Sequence, residues 1–140
     1  MKINIFIADE FRSEANGKQM ALGLYPDDNI VLEQRPQEDN QADLPEGIDR
    51  LSFLINISDI PEKKHIYKAQ IIDPSGKPHG KEIALGEFET AKGTSRNFII
   101  EAMPFLLSGK GTYQLNFYVD DEVNTFPFRF IEKTRESSKS

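Results

Sequence analysis

The sequence predicts an all-β fold: a single antiparallel two-sheet β-sandwich of about seven or eight strands, immunoglobulin- or C2-like. Three observations carry that prediction. Apolar residues recur with period two, Gly, Pro and Asp clusters punctuate the apolar runs, and nowhere do strand-like runs alternate with helical ones. The last point sets aside the nucleotide-binding α/β folds.

The chain opens on "MKINIFIADEF", whose alternation reads as a first strand, and "ANGKQMALGLY" turns it back as a hairpin. A two-residue type I′ turn at Asn16–Gly17 pairs Ala15 with Lys18, Phe11 with Leu22 and Asp9 with Leu24. Asp9 then shares a core-facing strand face with Ile3, Ile5, Ile7 and Phe11. A buried carboxylate needs partners, so Asp9 is expected to accept hydrogen bonds from loop N–H groups or an Arg. A longer turn shifts the register by one residue and turns Asp9 outward.

After Gly23 come "LYPDD" and the apolar "NIVLE", and then residues 33–47, polar and acidic, which read as one long loop. "IDRLSFLINIS" aligns Leu51, Phe53, Ile55 and Ile57, and "HIYKAQIID" aligns Tyr67, Ala69 and Ile71. "DPSGK" is a turn, with Pro74 presetting φ and Gly76 able to take positive φ. In "EIALGEFET" the alternation slips at Gly86, which implies a bulge, with Ile83 and Leu85 facing one way and Phe88 the other. "TSRNFIIEAMPFLL" suits a strand near 96–103, because Pro104 breaks a helix and Ile99–Ile100 are β-branched.

The most secure pair closes the chain. Tyr113, Leu115, Phe117 and Val119 share one face of a strand, and Phe126, Phe128 and Phe130 share one face of the next. Pro127 lacks an N–H, so this last strand lies at a sheet edge or turns that position out of the ladder. Residues 1–132 are read as one sandwich domain and 133–140 as a disordered tail.

Composition narrows the function. With 140 residues and 38% hydrophobic content, including ten Phe and four Tyr, the chain can fill a core without staples. It has no Cys, which excludes thiol chemistry and zinc–thiolate sites. The formal charge of −6, with no basic run, argues against nucleic acid and against anionic membrane surfaces. No stretch approaches the ~20 apolar residues of a membrane-spanning helix, and the opening apolar run is too short for a secretory signal. A cytoplasmic location is therefore expected.

Candidate chemistry is sparse. His65 and His79 are the only imidazoles, both in hydrophilic surroundings that read as exposed turns, and no Gly-x-Ser-x-Gly elbow is present. "ANGKQM" and "LSGKGTY" lack phosphate-loop spacing. Calcium candidates are Asp27, Asp28 and Asp73, which fall at one end of the sandwich if each strand crosses it once, with Asp120 and Asp121 at the other. Asp9, Glu10, Glu87, Glu89 and Glu101 lie on strands but read as solvent-face carboxylates. No catalytic residue, cofactor or metal is assigned.

The order "IFIADEFRSEANGKQMALGLYPD", "LSFLINIS", "KAQIIDPSGK" and "GTYQLNFYVDDE", closed by an aromatic strand, resembles a family of small bacterial and phage-associated domains of unknown function. The resemblance rests on Ala8–Asp9, Gly17–Lys18, Gly23 and Asp73-Pro74-Ser75-Gly76, and it covers most of residues 3–131. It implies a compact β-sandwich and no catalytic residues. The expectation is a non-enzymatic module working by protein contact or self-association through an edge strand such as 123–131, as a structural or accessory component of a bacterium or phage. The alternative is a calcium- or carbohydrate-binding sandwich using the end that holds Asp27, Asp28 and Asp73.

Overall fold

The computed structural model describes residues 1–15, 18–27, 29–33, 47–91, 94–109 and 111–133. Eleven strands follow one another: β1 (Lys2–Ser13), β2 (Gln19–Leu24), β3 (Asn29–Glu33), β4 (Gly47–Ile48), β5 (Leu51–Ser58), β6 (Lys63–Ile72), β7 (Ile83–Thr90), β8 (Arg96–Ala102), β9 (Phe105–Leu106), β10 (Thr112–Val119) and β11 (Glu122–Lys133). No helix occurs among the described residues. The expected loop 33–47 and tail 133–140 lie outside the described residues, apart from Glu33, Gly47 and Lys133. Lys133 ends β11 rather than opening a tail.

One sheet has the order β2-β1-β5-β8, a second β3-β11-β10-β6-β7, and β4 and β9 form a small ribbon. The two larger sheets do not close into a barrel. A single apolar cluster draws on both: Ile55, Ile57, Phe53 and Phe98 from the first, Tyr67, Leu115, Phe117 and Phe128 from the second. Phe53 meets Phe128 edge-on at 5.2 Å between ring centroids, and Tyr67 lies 4.9 Å from Phe98. Fully burying a side chain of this size contributes about 1.5–3 kcal/mol, against about 0–1 kcal/mol for an exposed ion pair such as Lys64–Glu87. The apolar faces, not the charge pairs, hold the sheets.

Most strand assignments stand. Tyr113, Leu115, Phe117 and Val119 are buried on β10, and the β10–β11 hairpin closes through Asp120–Asp121 with Val119 opposite Glu122. Residues 96–102 form β8, as the sequence predicts.

Three expectations need correction. All pairings but one are antiparallel: β3 runs parallel to β11, with Asn29 opposite Arg129 and Glu33 opposite Lys133. The rear half of β11 is therefore covered, and among the described residues the expected edge 123–131 lacks a strand partner only ahead of Arg129. On β7, Tyr67 pairs with Gly86 while Lys68 pairs with Ala84, so Leu85 is the extra residue of a bulge. The bulge resets the alternation, and Ile83, Leu85 and Phe88 all pack against the same core rather than on opposite faces. The third correction concerns the first hairpin and the side on which Asp9 lies.

Candidate functional site

In the β1–β2 pair Ser13 faces Gln19, Phe11 faces Ala21 and Ala8 faces Leu24, one residue away from the two-residue-turn register. The Glu14 N–H donates to Lys18 O at 2.8 Å, in keeping with that shifted register. Asp9 is exposed, not core-facing, because the alternation of β1 breaks where Ile7 and Ala8 are both buried. Phe11 leaves the Ile3–Ile5–Ile7 row and groups with Ala8 and Leu54 in a small second cluster. The break falls opposite Gly23, whose φ of 68° is left-handed.

Asp9 still acquires a structural partner, though neither an Arg nor a loop N–H. Tyr25 Oη donates to Asp9 Oδ1 at 2.9 Å, and Ser52 Oγ donates to the Asp9 carbonyl at 3.1 Å. Partial burial, reinforced by the hydrogen bond to the carboxylate, pushes the Tyr25 phenol up to about 12. It therefore stays protonated, and a donor, across the ordinary pH range.

The calcium candidates do not converge. Asp28 lies outside the described residues. Asp27 Oδ1 accepts the Asn29 N–H at 2.9 Å within its own turn. Asp73 Oδ1 accepts from Ser75 N, Ser75 Oγ and Lys77 N, and these bonds, led by the Ser75 hydroxyl, hold its carboxyl below the usual range. Asn29 and Ile72 sit at the same end of the second sheet, but β11 and β10 run between β3 and β6. Three strand spacings are roughly 14 Å, too far for one cation. Among the described residues no three His, Asp or Glu side chains gather as a metal cage.

Neither histidine is the exposed turn residue expected. His65 is 2% exposed, with Nδ1 at 2.8 Å from Asp120 Oδ2 and Nε2 at 2.9 Å from Pro61 O. Asp120 Oδ1 also accepts the Ile66 N–H, at 3.0 Å. That backbone bond first, and the imidazole second, hold the Asp120 carboxyl below the usual range. With both ring nitrogens engaged, His65 pins the β10–β11 turn to β6 and leaves no nitrogen for a nucleophile. His79 is half-buried, its ring 4.8 Å from Phe105, and its Nδ1 lies 3.0 Å from Ser108 Oγ. The two are 29 residues apart, which hid the pair from a reading of local motifs. Asp73 acts on His79 only through space, its Oδ1 being engaged within the turn, so the pair lacks the carboxylate that orients the ring in a triad.

The arrangement that no local motif announces lies between the sheets. β2 pairs with β1 only from Ala8 onward, and β3 pairs with β11 only from Arg129 onward. Among the described residues, the edge of β1 over residues 2–6 and the edge of β11 over 122–128 have no strand partner on that side. A cleft separates the two edges. Its first part, about 470 Å³ and more polar than apolar, is lined by Met1 and Ile3 against Glu122, Asn124, Thr125 and Phe126. Its second, about 350 Å³, is lined by Ile5 and Ile7 against Phe126 and Phe128, with Tyr25 and Asp27 at the end. Of the lining residues Met1 and Phe6 are exposed, and so is Val123, next to Glu122 on β11.

Backbone parity fixes which groups face the opening. The Tyr25 N–H donates to Ile7 O at 2.8 Å, so alternate residues Ile3 and Ile5 direct their N–H and C=O away from β5. The two-residue β10–β11 loop pairs Val119 with Glu122, so Val123, Thr125 and Pro127 direct theirs away from β10. The missing N–H of Pro127 thus falls outside the ladder, one of the two placements its sequence allows.

No curated protein matches the chain. A family model does, over residues 4–130, and the chain belongs to that family of unknown function, DUF6941.

Proposed function

We propose that the chain is a non-enzymatic β-sandwich module, immunoglobulin-like in packing, that works by protein contact as a structural or accessory component. The observation that carries this reading is the pair of strand edges without a strand partner among the described residues, on either side of a cleft whose inner part is apolar. Exposed edges are ordinarily blunted, and β7 illustrates how: Glu87 and Glu82 on and beside it pair with Lys64 and Lys68 of β6. The β1 and β11 edges instead carry exposed Phe6 and Val123 beside apolar walls, which is the chemistry of strand addition. The edge-on and tilted ring contacts between the sheets support the sandwich, and the fully engaged His65 supports a role other than catalysis.

A photoreactive amino acid placed at Phe6 or Val123 tests the reading in the cells that make the protein. A discrete protein adduct is expected at both positions and not at Lys64, on the charged flank of the second sheet. Irradiation that yields no adduct at Phe6 or Val123, or equal labelling at Lys64, overturns it.

A further inference from the structure

The cleft has a length, a backbone pattern and a charge pattern, and together they specify an occupant. Beyond Arg129 the lane beside β11 is filled by β3, while alongside Val123–Pro127 the same lane is empty among the described residues. It presents the N–H and C=O of Val123 and Thr125 and the C=O of Pro127, enough for one short extended segment. Side chains on one face of such a segment would enter between Ile3, Ile5 and Phe126, and those on the other would lie beside Val123 and Thr125. Pro127 withholds one donor, which limits indiscriminate pairing without closing the lane.

The charges sit at the ends. Among the described residues, the charged side chains that line the cleft are Glu122 at one end and Asp27 at the other. Seven residues of strand, from Glu122 to Phe128, span roughly 23 Å at about 3.3 Å per residue. Resting on the contact reading above, we infer that the cleft takes an extended peptide of about seven to nine residues, apolar at alternate positions and carrying a Lys or Arg at each end. The ladder bonds supply affinity, the apolar walls select the alternating residues, and the two carboxylates set the spacing of the basic ones.

The test is a ribosome-displayed library of random nonapeptides, selected on the intact chain and counter-selected on Thr125→Pro. That variant removes one N–H from the open lane and leaves the β10 ladder intact. Its circular dichroism is compared with the parent, and Val123→Pro replaces it if it does not fold. The expected survivors alternate apolar and polar residues between basic ends. The best of them, synthesised with a fluorescent label, is expected to bind at least tenfold more weakly to Glu122→Gln/Asp27→Asn. Survivors that bind the lane with neutral or acidic ends, or that ignore the double variant, overturn the charge assignment and leave the contact reading standing. A library that yields no binder sensitive to either proline variant overturns both.

Discussion

Gly23 and Asp9 are matched across the β1–β2 pair. A Cβ on Gly23 would strike the Asp9 carboxylate, and its φ of 68° disfavours any side chain. Gly23→Ala is expected to cost about 1–2 kcal/mol for the left-handed backbone, plus the displacement of Asp9 from Tyr25. In the Gly23→Ala/Asp9→Ala double variant the clash with the carboxylate is removed and only a close Cβ contact remains, so the loss attributable to Gly23 should shrink towards the backbone part, read from urea midpoints. Asp120 makes a pH prediction. Its folded carboxyl is held below the ordinary value of 3.8, so its contribution is fully present above that value and is lost as pH falls through the folded one. Asp120→Asn, which keeps a residue tolerant of the φ of 57° there, is expected to flatten the decline in urea midpoint below about pH 4 without abolishing it, since Asp73 is lowered too. An unchanged acid profile would remove Asp120 from the account. The sequence singles out Asp9 but not Tyr25 as its partner. The side on which this carboxylate lies is set by a break in the alternation of β1 between Ile7 and Phe11, which the strictly alternating start of the strand does not announce.

Strand elements with strict alternation are legible because each face has one solvent: β10 is read residue by residue, and so is the row Leu51, Phe53, Ile55 and Ile57 on β5. The bulge on β7 is half legible. A slip at Gly86 announces it, but only the pairing with β6 reveals that Leu85 is the extra residue and that Phe88 returns to the core. β3 is not legible as a partner of β11. Five residues of "NIVLE" carry no mark of parallel pairing, which depends on a neighbour far along the chain. Ile30 is fully buried and anchors β3 in the main core, while Arg129 Nε donates to Asn29 Oδ1 at 2.6 Å at the start of the pair. Ile30→Ala is expected to cost about 2–4 kcal/mol. If β3 were only a passing contact, the loss would stay below about 1 kcal/mol and hydrogen exchange at Arg129–Lys133 would not change.

At the scale of the whole molecule, periodicity and turn chemistry foretell an all-β fold and its two hairpins, but not which other strands are neighbours, nor that two partial pairings leave a cleft. Such features arise from where pairings stop, and a stopping point has no residue signature unless a proline marks it, as Pro127 does here. The chain crosses repeatedly between sheets: β1 and β2 lie in one, β3 in the other, β5 in the first, and β6 and β7 in the second. The parallel pair joins Asn29 to Arg129 across 100 positions. Closing a loop of that length costs about 4 kcal/mol of chain entropy before any contact offsets it, so β3 is expected to dock after the β10–β11 hairpin and its neighbours have drawn the ends together. Until then β11 is open along its full length. During refolding, unlike in the finished fold, another molecule can add to the whole strand, and dilution becomes a condition for recovering the native chain.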